Sequence, residues 1–157
     1  SIVGLKYFNV YGPKEFFKNK TASMVVQFAH QILKGLTPKL FEGSDKILRD
    51  FIYIDDIIQA NIKACNPKKS GIYNVGTGKA RSFKDIVTII QKELEIDNGK
   101  EYIPNTFVGS YQFFTQANID STKKNLGYEP RFEMEDAIKA YIPEIKRLFK
   151  EEVKWEN

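Results

Sequence analysis

Two periods of hydrophobicity, one of a strand and one of a helix, take turns along this chain from end to end. The apolar run Ile2 to Leu5 predicts an opening strand that empties into the polar, turn-forming stretch Tyr7-Phe8-Asn9-Val10-Tyr11-Gly12-Pro13-Lys14-Glu15. From Ser23 to Lys34 the residues Met24, Val25, Phe28, Ile32 and Leu33 recur at helical spacing, and Gly35 supplies the stop. Pro38 to Phe41 predicts a short strand, Glu42-Gly43-Ser44-Asp45 a turn, and Phe51-Ile52-Tyr53-Ile54 a buried strand leading into a helix that reaches about Cys65. Asp55 or Asp56 is expected to cap that helix. Carboxylates ahead of Ile57, Ile58 and Ile62 satisfy free N–H groups and oppose the helix dipole, which outweighs an acid/base role for the pair.

The alternation continues. Gly71 to Val75 predicts a strand, Gly76-Thr77-Gly78 a turn, and Ser82 with Asp85 three residues later the capping box of a further helix. Glu101 to Pro104 and Gln112 to Thr115 predict short strands, Asp120 to Leu126 a short helix closed by Gly127, and Met134 to about Val153 a terminal amphipathic helix. Strands alternating with helices imply an α/β fold with some parallel sheet.

Composition narrows the function classes. At 157 residues with 42% hydrophobic content, the chain is long enough for one domain with a real core. Its 24 basic and 20 acidic residues leave a net charge of +4, which permits anionic ligands but falls short of a nucleic-acid binder. Cys65 stands alone, so no internal disulfide forms; a reducing, cytoplasmic setting is expected, with Cys65 as a small buried hydrophobe. The single histidine, His30, excludes a multi-histidine metal site and is read as a helix residue without catalytic role. No metal is expected. No apolar run approaches the roughly 20 residues that span a bilayer, so no membrane partner is expected. With no initiator Met and a strand under way by the second residue, the chain reads as a fragment.

Two stretches are candidates for chemistry. The first is the loop after the opening strand, since ligands in open α/β sheets bind outside the carboxyl ends of strands. It carries an amide (Asn9), an aromatic hydroxyl (Tyr11) and the ammonium groups of Lys14, Lys18 and Lys20, a set suited to an anionic, hydroxyl-rich ligand. The residues themselves admit an aromatic core strand with a solvated basic loop equally well. The second is Gly76-Thr77-Gly78, where strand, glycine turn and helix resemble a phosphate cradle. The dinucleotide fingerprint needs three glycines at G-x-G-x-x-G spacing, so a structural turn is favoured.

Four segments in order, Tyr7 to Pro13, Arg49-Asp50-Phe51-Ile52-Tyr53-Ile54-Asp55-Asp56, Tyr73 to Gly78 and the closing helix, resemble the C-terminal, substrate-binding half of extended short-chain dehydrogenase/reductases that act on nucleotide sugars. Gly12-Pro13-Lys14-Glu15 with Lys18, Pro38 to Ser44, Gly109-Ser110-Tyr111-Gln112 and Phe114 to Ala117 narrow the resemblance to the ADP-L-glycero-D-manno-heptose 6-epimerase family. It implies that strands of this chain complete a Rossmann sheet whose other half is absent here. The implied reaction, in lipopolysaccharide core heptose biosynthesis, oxidises C6 of an ADP-heptose to a ketone with bound NADP (or NAD) and returns hydride to the other face. Proton transfer is then needed on both faces of one carbonyl, and a single base cannot serve both without moving. The family pairs the tyrosine of a Tyr-x-x-x-Lys motif with a second acid/base lysine, which Lys18, six residues after Gly12, matches.

The resemblance assigns further roles. Asn9 meets the sugar nucleotide, Val10 and Lys18 meet the cofactor, Phe41, Glu42, Gly43 and Ser44 run along the ADP moiety, Arg49 meets phosphate through its planar fork, and Tyr111 offers a hydroxyl to the ligand. Lys20 stands where serine is usual and Gln27 where some members have a substrate-contacting histidine; both can donate hydrogen bonds. The intact enzyme is expected to be a homo-oligomer. Its Tyr-x-x-x-Lys motif is not here, because none of the eight tyrosines is followed by lysine four residues on. This chain alone is therefore expected neither to bind NADP tightly nor to epimerise. Another nucleotide-sugar epimerase or dehydratase of the superfamily, or a noncatalytic basic binding module, are the alternatives.

Overall fold

The structure is a computed structural model that describes residues 1–106 and 112–155. In chain order its elements are β1 (Val3–Tyr7), β2 (Asn9–Tyr11), a 3-10 helix (Phe16–Thr21), α1 (Met24–Leu33), β3 (Lys39–Phe41), β4 (Leu48–Tyr53), α2 (Ile54–Ala64), β5 (Gly71–Val75), β6 (Ala80–Ser82), α3 (Phe83–Leu94), β7 (Glu101–Ile103), α4 (Asp120–Leu126) and α5 (Met134–Trp155). The α/β expectation holds. Three pairings, β1 with β5, β2 with β4 and β3 with β7, are parallel, and β6 joins β4 antiparallel.

The opening strand is really two. Val3 to Tyr7 lie opposite Gly71 to Val75, then the Phe8 N–H closes the ladder on the Val75 carbonyl, and from Asn9 the chain transfers to β4, with Asn9 opposite Phe51 and Tyr11 opposite Tyr53. The stretch read as a loop therefore contains a second strand, and the turn begins only at Gly12. β4 is longer than its apolar run predicts, starting at Leu48. The segment Gln112 to Thr115, expected to be a strand, makes only an isolated bridge from Phe114 to Leu48.

Five of the six β4 residues are buried, because helices cover both faces. Phe51 and Tyr53 point into a core shared with α1, α3 and α5, through Val25, Phe28, Ile86, Ile90, Ile138 and Tyr141 among others. Ile52 points the opposite way, into a second core built with Ile57, Ala60, Tyr73, Val75, Leu126 and Tyr128. On β1 and β5 the coverage fails. Ile2 and Ile72 are 83% and 81% exposed, and among the described residues β1 has β5 as its only strand neighbour.

The local end signals read from sequence hold. Ser82 and Asp85 form the capping box of α3, with Asp85 N–H donating to Ser82 Oγ at 3.1 Å and Ser82 N–H to Asp85 Oδ2 at 3.0 Å. Gly127 closes α4 at φ 67°. The expected capping by Asp55 or Asp56 does not hold. The residue before α2 is Tyr53, without a side-chain cap. Asp56 is fully buried and accepts instead from the backbone N–H groups of Arg131 (3.0 Å) and Phe132 (3.2 Å), tying α2 to the loop before α5. A completely buried carboxylate needs such donors, and the nearest ones lie 75 residues away. Cys65, expected to be buried, is exposed at the end of α2. No described helix is long and apolar enough to cross a membrane.

Candidate functional site

Gly12 opens the loop after β2 in a conformation that only glycine holds comfortably. Its φ is 143°, and a Cβ there would sit 2.5 Å from Ile54 Cγ2. Lys14 and Asn19 also take positive φ, at 70° and 49°, which is uncommon outside glycine. The loop is held by the buried carboxylate of Glu15. Its Oε1 accepts from Gly12 N–H (3.1 Å) and Ser23 Oγ (2.8 Å), and its Oε2 from Ser23 N–H (2.7 Å). Lys18 lies on the 3-10 helix with its side chain exposed, its own N–H donating to the Glu15 carbonyl at 3.0 Å. Gln27, on the next helix, donates to the Ala22 carbonyl at 2.7 Å. Of this group, the side chain of Lys20 lies outside the described residues.

Tyr11 is not part of that exposed group. It is 2% exposed with its ring 5.7 Å from Tyr53, and burial, reinforced by Tyr53, raises its hydroxyl pKa so that it stays protonated. Tyr11 belongs to the core and Lys14 and Lys18 to the surface, the arrangement that an aromatic core strand with a solvated basic loop describes. His30, as expected, sits within α1, where it packs on Phe16 at 5.1 Å and Phe149 at 5.8 Å.

A second group gathers on β4. Arg49 is 8% exposed; its guanidinium donates to the Leu48 carbonyl (3.0 Å) and to the carbonyl of Gln112. Gln112 follows Tyr111, which lies outside the described residues. Asn9 donates its amide to the Asp50 carbonyl at 2.9 Å and is otherwise exposed, keeping a second N–H and a carbonyl for other partners. Val10 is half-buried opposite Ile52.

The Asp50 side chain, fully buried, gathers four donors. Oδ1 takes Thr77 N–H (2.8 Å) and Thr77 Oγ1 (2.7 Å), and Oδ2 takes Gly78 N–H (2.8 Å) and Ala117 N–H (3.0 Å). The N–H groups that would hold a phosphate at Gly76-Thr77-Gly78 are spent on this carboxylate, which supports the structural turn. Gly76 is required for closeness: a Cβ would lie 2.6 Å from Ala117 Cβ and 2.8 Å from Asp50 Oδ2.

The third group is the turn after β3. Phe41 is half-buried, Glu42 and Gly43 are exposed, and Gly43 at φ 74° lets Ser44 N–H return to the Phe41 carbonyl at 3.0 Å. Ser44 is 1% exposed, and its Oγ has no hydrogen-bond partner among the described residues. It lines an apolar cavity of about 220 Å³ together with Met24, Phe28, Phe41, Phe83 and Ile103. An apolar slot of this size suits a flat ring. Thus α1 and the Phe41 to Ser44 turn share one cavity, Asn9 and Arg49 share the neighbourhood of Asp50, and Lys18 stands on its own braced loop. Sequence reasoning assigned no role to Glu15 or Asp50. For Glu15 the available signal was a carboxylate three residues after a glycine turn, and for Asp50 an acidic residue beginning a buried apolar run.

With this geometry in place, comparison with known proteins is informative. Residues 1–76 match the NAD dependent epimerase/dehydratase family. The ADP-L-glycero-D-manno-heptose-6-epimerase of Brachyspira hyodysenteriae is 41% identical over 150 residues, covering 93% of this chain and 46% of the relative. The crystal structure of Helicobacter pylori ADP-L-glycero-D-manno-heptose-6-epimerase is 50% identical with a TM-score of 0.83, covering 92% of this chain and 44% of that one. UDP-glucuronic acid 4-epimerase of Bacillus cereus, in complex with UDP-glucuronic acid and NAD, is more distant, at 27% identity and a TM-score of 0.78 over 94% and 46% of the two chains. The chain has the fold of the epimerase/dehydratase structures and spans less than half the length of the relatives it matches.

Proposed function

We propose that residues 1–157 form the substrate-binding part of a cytoplasmic, homo-oligomeric epimerase that inverts C6 of ADP-glycero-manno-heptose, with the dinucleotide-binding half on preceding sequence. The observation that carries this reading is the similarity, over more than nine tenths of the chain, to two proteins named as ADP-heptose 6-epimerases. The geometry agrees with it. The cavity at Phe41 and Ser44 offers apolar walls to an adenine-like ring, and Glu42 and Gly43 are exposed on the same turn. Arg49 would turn its planar fork to phosphate by releasing the Leu48 or Gln112 carbonyl, and Asn9 keeps amide groups for the sugar hydroxyls. Lys20, Gln27 and Tyr111 complete the substrate contacts.

Bound NADP supplies the oxidation and re-reduction. Val10 and Lys18 are the residues of this chain that would flank it; the Gly76 to Gly78 turn would not, since Asp50 takes its N–H groups. Lys18 moves a proton at the C6 oxygen on the face opposite the tyrosine of the other half. Replacing it tests this. Lys18→Met in the full-length enzyme is expected to lower kcat roughly 100-fold or more with little change in KM, the range for loss of a positioned acid/base. Unchanged turnover would remove the assigned role.

A further inference from the structure

The buried carboxylate of Glu15 lies three residues before Lys18 in sequence but binds groups on both sides of it. Gly12 N–H donates to Oε1, and Ser23, through N–H and Oγ, donates to both oxygens at 2.7 and 2.8 Å. One side chain therefore pins the two ends of a loop with Lys18 between them. A carboxylate only 6% exposed requires hydrogen-bond donors, and these three converge on it. The rest of the loop hangs from that pin. Lys18 N–H donates to the Glu15 carbonyl, Thr21 Oγ1 to the Lys18 carbonyl at 2.8 Å, and Ala22 N–H to the Asn19 carbonyl at 3.0 Å.

The loop is also tied to α5. Tyr141 of that helix is fully buried, its hydroxyl has no hydrogen-bond partner among the described residues, and burial first, with the Glu15 charge second, raises its pKa. Lys14 N–H reaches Glu144 Oε1 of the same helix at 3.3 Å. The loop also stores backbone strain, with positive φ at Lys14 and Asn19 on either side of Lys18. Residues in such conformations persist only where their surroundings over-determine them.

We propose that Glu15 is the positioning residue of the site: it fixes the loop conformation that sets where the Lys18 ammonium stands. This rests on the acid/base reading of Lys18. Charge and geometry both matter, since all the donors aimed at Glu15 require an acceptor. An amide in its place keeps one oxygen but turns an NH₂ toward those donors, and an aspartate is one methylene too short to bridge Gly12 and Ser23 together.

The test is steady-state kinetics and thermal unfolding of the full-length enzyme with Glu15→Gln, Ser23→Ala and, in parallel, Lys18→Met. Displacement of a catalytic group by about an ångström costs on the order of 100-fold. The expected result for Glu15→Gln is a kcat lower by roughly 10- to 100-fold with KM for ADP-heptose within about twofold of wild type and a folded protein at assay temperature. Its crystal structure should show the 13–22 segment displaced. Ser23→Ala, which removes one of the three donors, is expected to fall between Glu15→Gln and wild type and decides the matter if Glu15→Gln fails to fold. Wild-type kcat in a folded Glu15→Gln or, failing that, in Ser23→Ala overturns the proposal, as does a loss of rate that only follows the folded fraction. Should Lys18→Met abolish turnover while Glu15→Gln does not, the positioning role alone fails; should Lys18→Met turn over normally, both assignments fall together.

Discussion

Two glycine turns end strands in this molecule, and each is organised by one buried carboxylate, yet they present opposite surfaces. At Gly76-Thr77-Gly78 the Asp50 carboxylate takes the Thr77 and Gly78 N–H groups and the threonine hydroxyl of the turn, plus the N–H of Ala117, so these groups are turned inward. At Gly12 the Glu15 carboxylate takes only the first and last groups of the loop, and the residues between are left to present Lys18 to solvent. A glycine-rich turn after a strand is thus not evidence of phosphate binding by itself; what its N–H groups already hold decides. The same device, a buried carboxylate bonded to a turn, closes one loop and leaves the other exposed.

Removing the closing carboxylate should give the largest effect on stability. Asp50→Ala strands three backbone N–H groups, and is expected to cost about 3 kcal/mol or more, at 1–3 kcal/mol per unsatisfied buried group, read as a lowered urea midpoint. Lys18→Met, on the open loop, should leave that midpoint unchanged while it lowers kcat. A stable Asp50→Ala protein would break the contrast.

The glycines themselves should rank next. Gly76→Ala drives a methyl into Ala117 and Asp50, and Gly12→Ala combines a 2.5 Å approach to Ile54 with a φ of 143°. Each is expected to cost roughly 1–3 kcal/mol by overpacking and strain. Gly12→Ala should in addition slow turnover because its N–H is one end of the Glu15 brace. Gly76→Ala should not do so beyond its loss of folded protein.

The smallest effect separates the adjacent acids that sequence treated as interchangeable. Asp55→Asn removes only a favourable charge in the first turn of α2, about 0.3–1 kcal/mol. Asp56→Asn places an amide against the Arg131 and Phe132 N–H groups and should cost more. Equal midpoints for the two variants would contradict the buried assignment of Asp56.

The pattern of what sequence revealed follows from range. The capping box of Ser82 and Asp85, the Gly127 stop and the Glu42 to Asp45 turn are written in residues a few positions apart, and all three appear as read. β2 and β6, at three residues each, exist because β4 lies beside them, and no window along the chain contains that fact. Asp56 was misjudged for the same reason, its partners being 75 and 76 residues away. Of the candidate site, the lysine loop, Arg49 and the Phe41 to Ser44 turn were nominated by a motif order that resembles a family. The two carboxylates that hold the site in shape were not, since a buried acid and a solvated one look alike until the fold is known.

The most direct test of the account is the substrate profile of the full-length enzyme. With NADP bound, kcat/KM measured by the interconversion of C6 epimers of ADP-glycero-manno-heptose should exceed that for UDP-glucose or UDP-glucuronic acid by at least about 100-fold, the discrimination expected when buried polar groups are matched to one nucleotide. Faster epimerisation of a UDP-hexose, or equal rates on both, would contradict the assignment of this chain as the wall of an ADP-heptose site.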